Sequence, residues 1–425
     1  MAYIKRLLII FGLAVLSLPM IVFLPNEGTS DMGVWLEWTS HIDKWGPLNA
    51  YSIINTNHDY ERSDYPPISF INLRFALKVA ALGNVSWMIG IKIIILGYYL
   101  ATWAALIYLA TVVRRRSIWI SIVVSSGLFL GGLYFVVNSE ALSYLDITYA
   151  PWIVFSLALL ARRKYLLSGI CLALAILVKW MPVVMLPAFL FYFINKQGSR
   201  YRIDRLPMFK FFGGMMLIFS LLIVVFLLNH LSLFSLVESL RKAFDRPSLA
   251  PGAPNFNWIV NYVIKLIYPE TYVVFIRNNI HIFQSISAVI FLFVDIAILK
   301  SFLKRKKDIS GLLSASLMIS WSYYIWRTAV HENHLFISVL TALCIAVLNT
   351  NRSNVSQYLL LSFIGLTQAV VFFGFPIKGD SIPFPDSLMV IGAVRLTEIL
   401  AVFHVLIYLV YLRSYLQFQR RGAEG

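Results

Sequence analysis

The stretch SDMGVWLEWTSHIDKWGPLNAYSIINTNHDYERSDYPPISFI, residues 30–71, is the longest polar run in a chain that is otherwise mostly hydrocarbon. It follows the first apolar segment at once. It carries Asp31, Glu37, Asp43, Asp59, Glu61 and Asp64 against only Lys44 and Arg62. Carboxylates are expensive in lipid, so this stretch belongs in water or in a polar cavity at a membrane face. Any chemistry the chain performs is expected there.

The rest of the chain sets that frame. Its 425 residues are 59% hydrophobic and 13% charged, with a mean hydropathy of +0.76. A soluble domain carries about 25% charged residues, so the composition is that of a multi-span membrane protein. The formal charge of +16 does not point to nucleic acid. The basic residues sit in short clusters between apolar runs and read as topology signals. Cys171 and Cys344 both lie inside apolar runs, which argues against a disulfide framework or a Cys-based metal site. The first apolar run, Leu7 to Leu24, follows Lys5 and Arg6 but lacks a small-x-small cleavage site, so it is expected to remain as a first span.

A span needs about 20 apolar residues, fewer inside a bundle. On that basis helices are expected near 7–24, 87–112, 117–137, 147–161, 165–180, 182–194, 208–229, 281–300, 310–327, 335–349, 356–374 and 388–412. The expected fold is therefore an all-α polytopic membrane protein of about twelve spans, one integral unit over residues 1–425. The clusters Arg114–Arg116, Arg162–Lys164, Lys196 to Lys210 and Lys304–Lys307 place one side, and both termini, in the cytoplasm. The first outer loop is then 25–86, followed outside by 138–146, 230–280, 328–334 and 375–387. Arg74 and Lys78 would be costly in mid-bilayer. Pro67 to Leu82 is therefore expected as an interfacial amphipathic helix, and 257–268 likewise.

Thr29 or Ser30 is a plausible N-cap, which puts Asp31 in the first turn of a helix, where a carboxylate is favoured. Asp31, Trp35, Trp38 and Ile42 then form one stripe. A carboxylate beside two indoles suits a sugar, although a capping Asp with interfacial tryptophans gives the same pattern. Asp64-Tyr65-Pro66-Pro67 reads as a rigid turn into the next helix. Arg327, His331, Glu332 and His334 gather at a helix end. The His spacing of i and i+3 is not that of a zincin, so an anionic phosphate fits better than a metal. Lys179 and Asp146 are charges at helix ends, either an internal pair or functional groups. The Pro-rich segment from Phe244 to Trp258, with Asn255, is a long loop of the kind that serves binding.

Taken in order, these motifs resemble a family. They are an Asp after the first span, a Trp/Tyr-rich first outer loop, Asp64-Tyr65-Pro66-Pro67, LVKWMPVVMLP at 177–187, the loop around Asn255 and Trp258, and HENHLF at 331–336. The set is similar to the GT-C glycosyltransferases, above all the mannosyl- and glucosyltransferases that extend lipid-linked glycans and glycosylphosphatidylinositol anchors, over roughly residues 1–340. The resemblance implies hexose transfer, with inversion, from a polyprenyl- or dolichyl-phosphate donor to a hydroxyl of a lipid-linked or other cell-envelope glycan. The site would face the outside of a plasma membrane or the lumen of the endoplasmic reticulum. Asp31 is the expected base, and Arg327, His331, His334 and Lys179 the expected phosphate ligands. Trp35, Trp38, Asp64, Tyr65, Asp146, Asn255, Trp258 and Glu332 are expected to bind substrate. Membrane lipids are expected partners and nucleic acid is not. No cofactor is assigned; a divalent metal is allowed but not expected. The alternative is a multi-span transporter or lipid-linked glycan flippase, against which stands the gathering of polar residues at one face.

Overall fold

The computed structural model describes residues 17–18, 21–57, 60, 63–197, 200–244, 248–305, 307–373, 375–377, 380–382, 390–391 and 394–421. Most of the expected span at 7–24, the residues Lys5, Arg6, Asp59, Glu61, Arg62 and Lys306, and most of 375–387 lie outside them. Helices dominate. Two short ones, α1 (Asp31–Trp45) and α2 (Pro47–Thr56), precede α3 (Pro67–Gly83), and prolines open the second and third. Then follow α4 (Trp87–Arg114), α5 (Ile118–Gly131), α6 (Ala150–Ala161), α7 (Tyr165–Val178), α8 (Leu186–Tyr192) and α9 (Arg205–Leu228). The last are α10 (Phe234–Phe244), α11 (Phe256–Ile267), α12 (Tyr272–Leu303), α13 (Ile309–Trp326), α14 (Phe336–Leu348), α15 (Arg352–Phe373) and α16 (Leu396–Arg421). Among the described residues the only strands form two-stranded antiparallel ribbons, of which Ile194–Gln197 with Arg200–Ile203 joins α8 to α9.

Five described helices are long and apolar enough to cross a membrane: α4, α9, α12, α15 and the Leu396–Gln417 part of α16. A sixth is made if α5 counts together with Tyr134–Ala141, into which it bends by 64°. The chain is therefore an all-α, polytopic, membrane-embedded protein. The remaining apolar helices are shorter; α7, with 14 residues, is about 21 Å long at 1.5 Å per residue, against a hydrocarbon core of about 30 Å. The expected count of twelve includes such helices. What the sequence reads as a span at 281–300 is one 32-residue helix beginning at Tyr272. The segment 230–280, expected as a loop with one helix near 257–268, holds two, because Phe234–Phe244 is helical as well.

Burial follows lipid rather than water. The most apolar of the five long helices, α9, has only 22% of its apolar stretch buried, and α12 matches it. Exposed Leu, Ile and Phe on this scale signal a hydrocarbon solvent. The centre of the bundle is α14, buried from Phe336 to Leu348, and α13 beside it. α3 has the one-sided burial of an amphipathic helix, with Leu73, Ala76 and Ala80 inside, Lys78 exposed, and Arg74 donating to Asp43 at 2.6 Å.

Small residues set the closest helix contact. α7 lies against α9 with Gly169 and Gly214 at the crossing. A Cβ on Gly169 would fall 1.9 Å from the Phe211 carbonyl oxygen, and one on Gly214 would fall 2.1 Å from that of Leu166. Backbones approach this closely only where no side chain intervenes, the usual packing device within membranes. Gly169→Val should therefore lower stability by at least the ~1–3 kcal/mol of an overpacked core. The lipid-facing Gly213, with nothing within 4 Å of its Cβ direction, should accept Ala without loss. Thermal unfolding of both variants in detergent checks this.

Candidate active site

The site is assembled from six separate parts of the chain. The approach to Asp31 is fixed first. The Lys92 ammonium, buried in α4, donates to the carbonyls of Phe23 at 2.7 Å and Glu140 at 2.8 Å. The Thr29 N–H donates to the Leu142 carbonyl at 3.1 Å. Gly28 takes φ +82°, and a Cβ there would meet the Ser143 hydroxyl at 2.6 Å, so only glycine serves. These contacts pin the start of α1 to the corner at Leu142–Tyr144. Ser30 takes the N-cap position without a side-chain cap bond, and Asp31 lies in the first turn. Met32, Trp35, Trp38 and Ile42 are buried on one face, while Glu37 is exposed.

The Asp64-Tyr65-Pro66-Pro67 turn is held from several sides. The Ser63 hydroxyl accepts from the Tyr65 N–H at 3.0 Å. The Ser239 hydroxyl donates to the Tyr65 carbonyl at 2.9 Å and accepts from the Trp180 indole at 3.1 Å. The Ser69 hydroxyl donates to the Val178 carbonyl at 2.5 Å. Ser239 belongs to α10, so the same contact brings in Lys242, one turn further on. The Tyr65 ring meets the edges of Trp35 and Trp38 at centroid distances of 6.2 and 5.9 Å.

Lys179 sits in extended conformation at the break between α7 and the turn Met181–Met185. Its ammonium donates to both oxygens of Asp146, at 2.8 and 2.9 Å, and lies 5.1 Å from the centre of the Tyr65 ring. The late motif is a single 3₁₀ turn, Glu332–Leu335, capped reciprocally by its histidines. The His331 ring accepts from the His334 N–H, and the His331 N–H donates to His334 Nδ1 at 3.2 Å. Glu332 points inward and accepts from the Tyr144 hydroxyl.

These elements enclose a cavity of about 150 Å³ lined by Asp31, Val34, Trp35, Trp38, Asp64, Tyr65, Tyr144, Lys179, Lys242, His331, Asn333 and His334. Two carboxylates and four basic side chains thus face one small space with an aromatic wall. The Trp38 indole N–H is buried and meets no acceptor among the described residues. No three His, Cys, Asp or Glu side chains converge as a metal site among those residues.

The expected site residues divide accordingly. Asp31, Trp35, Trp38, Asp64, Tyr65, Lys179, His331 and His334 share the cavity. Asp146 and Glu332 lie behind its wall, holding Lys179 and Tyr144. Arg327, Asn255 and Trp258 are not part of the lining. The carbonyl of Arg327 accepts from the Asn257 amide at 2.9 Å. Asn255 caps α11, accepting from the Trp258 N–H at 3.1 Å, while its amide donates to the Tyr324 carbonyl at 2.9 Å. Trp258 packs edge-on against Phe372. The described part of the Pro-rich loop thus clamps the end of α13. Lys242, Tyr144 and Asn333 are lining residues that the motif reading does not single out. For Lys242 the signal was present, since Phe234, Val237, Leu240 and Phe244 recur at helical spacing.

Comparison with known proteins adds nothing to this geometry: no protein-family model matches the chain, and no curated protein matches it.

Burial pushes the Glu332 carboxyl up to about 7, with the Tyr144 hydrogen bond opposing. A carboxyl whose pKa is raised on folding is most stabilising while protonated, so stability falls as pH rises from the unfolded value of about 4.5 to about 7. The integrated loss is on the order of 3 kcal/mol. The melting temperature in detergent should therefore drop across that window. Glu332→Gln, which keeps an acceptor for Tyr144, should flatten the drop.

Proposed function

We propose that the protein is a GT-C-like hexosyltransferase that takes its sugar from a polyprenyl-phosphate donor and delivers it to a hydroxyl acceptor. The observation that carries this reading is the meeting of Asp31 with Lys179, Lys242, His331 and His334 across one cavity walled by Trp35, Trp38 and Tyr65. Displacement of a phosphate by a hydroxyl needs two charge-handling groups on opposite sides of the anomeric carbon. Asp31 takes the proton of the acceptor hydroxyl. The acceptor oxygen then bonds to the anomeric carbon from the face opposite the leaving group. The bond from that carbon to the phosphate oxygen breaks, and its electron pair stays on the phosphate. Lys242 and the two histidines stabilise the growing negative charge. Lys179, already bonded to Asp146, contributes a partly neutralised charge and holds the Tyr65 ring in place. The indoles cover the apolar face of the sugar, and the Trp38 N–H donates to a sugar hydroxyl.

In this reading the shorter apolar helices also lie within the membrane, completing the twelve spans, and the cavity faces away from the cytoplasm. A cysteine at the exposed Glu37 should then react with an impermeant thiol reagent added outside intact cells or right-side-out vesicles, and one at the exposed Arg202 should not. The reverse pattern would place the cavity in the cytoplasm and remove the lipid-donor reading.

Asp31→Asn preserves size and removes proton acceptance. Loss of a positioned base lowers rate by about 10²- to 10⁴-fold. Transfer from synthetic polyprenyl-phosphate mannose or glucose by purified protein should fall by that order, with donor binding kept. If Asp64→Asn loses transfer instead, the base is on the turn before α3. If both variants are as active as the parent protein, neither carboxylate is the base and the acid mechanism at this loop falls; if the parent moves lipid-linked glycan across vesicles without transferring sugar, the transporter reading takes its place.

A further inference from the structure

A second and larger cavity, of about 740 Å³, lies at the other end of α6 and α7. Arg114, Arg115, Arg163 and Lys307 stand around it, and Val113, Leu160 and Phe193 form apolar walls. Its two acids are already engaged. The Asp204 carboxylate accepts from the Asn195 amide at 2.6 Å, and Asp308 caps α13 by accepting from the Gly311 N–H at 2.8 Å. We propose that this cleft holds the headgroup of an anionic phospholipid.

Three independent observations carry this. The first is the excess of charge in one concave space, four basic side chains against two carboxylates, with Arg114 and Lys307 also donating to the carbonyls of Leu348 and Phe302. The second is backbone strain. Arg115 and Arg163 sit just past the ends of α4 and α6 with φ of +51° and +58°. That left-handed conformation is where a helix usually ends on glycine. Arg163 closes α6 in this way, its N–H donating to the Leu160 carbonyl and that of Lys164 to the Leu159 carbonyl. Both arginines are exposed. A topology signal needs positive charge near a helix end, but it does not need arginine at the strained position. The third is the surface beside the cleft. Asp204 and Pro207 belong to its wall, and between and beyond them Ile203, Leu206 and Phe209 are exposed at 45%, 65% and 66%. Apolar surface continuous with a basic cleft suits a molecule with an acyl chain and a phosphate, rather than free phosphate. Basic pockets between membrane helices take such headgroups.

The test uses purified full-length protein in detergent, titrated with phosphatidylglycerol and with phosphatidylcholine and read by native mass spectrometry. Phosphatidylglycerol should be retained in clear preference. Arg115→Gly combined with Arg163→Gly removes both charges and relieves both backbones. The doubly substituted protein should melt at the same or a higher temperature, because glycine adopts positive φ freely. Its affinity for phosphatidylglycerol should fall on the order of ten- to thirtyfold, the expected weight of two basic residues near an anionic surface. Should that protein fail to fold, Lys307→Gln is the second probe, with a loss of about fivefold expected. Equal retention of the two lipids, or unchanged affinity in a folded variant, would overturn the proposal. Displacement of phosphatidylglycerol by inorganic phosphate would overturn the lipid as occupant.

Discussion

The contact between the Lys179 ammonium and the Asp146 carboxylate organises one end of the molecule. Both groups are buried and meet through two hydrogen bonds of 2.8 and 2.9 Å. Such a pair adds little net stability over an apolar pair of the same shape, yet removing one partner leaves a bare charge at a cost of about 3–5 kcal/mol. It therefore fixes geometry more than it adds strength. Asp146 lies in the 3₁₀ turn before α6 and Lys179 just after α7. Ser156 and Ser168 bond reciprocally across the middle of the same two helices, at 2.8 and 2.9 Å. From Lys179 the order passes to the Tyr65 ring, and from that ring to the edges of Trp35 and Trp38.

The charge around the first cavity enters where helices begin, end or break. Pro151, Pro182 and Pro187 stand at the first turns of α6, of the Met181–Met185 turn and of α8, where a missing N–H is harmless. Ser143 and Ala329 hold left-handed backbone, each at φ +60°, just before Tyr144 and shortly before His331. Non-glycine residues persist in that region only where their surroundings determine them. Here the surroundings are the Tyr144 to Glu332 hydrogen bond and the Leu249 carbonyl, which accepts from the Ala329 N–H at 3.4 Å. Irregular backbone in a membrane protein survives where it lines a cavity or is buried in protein.

The two ends of the bundle differ in chemistry for a common reason. Long apolar helices hold few charged groups along their length, buried Lys92 of α4 and Asp295 of α12 among them, so most charged residues collect at or beyond their ends. One end collects carboxylates, histidines and indoles around a small enclosed space. The other collects arginines around a wide cleft and next to an exposed apolar strip. Between them, α7 and α9 pack through glycine contacts and need no charge to do so.

The class of the protein was legible in composition, because apolar runs of 20 residues or more have few other uses. The helical stripe from Asp31 to Ile42 and the turn ahead of Pro67 were legible too, since each is set by neighbours within a few residues. The Lys179–Asp146 pair could be named as one of two alternatives because both charges interrupt apolar runs. Which polar residues share a cavity was not legible. Lys242 reaches it because Ser239, three residues earlier, bonds to the Tyr65 carbonyl, a contact across 174 residues. Arg327 stands in the same motif as His331, but the chain turns between them, and only the histidine joins the lining. Asn255 and Trp258 read as binding residues, yet one caps α11 and the other packs against Phe372. Periodicity and turn chemistry are local properties of a sequence. The meeting of side chains from distant helices depends on how those helices pack, and that only the tertiary structure decided.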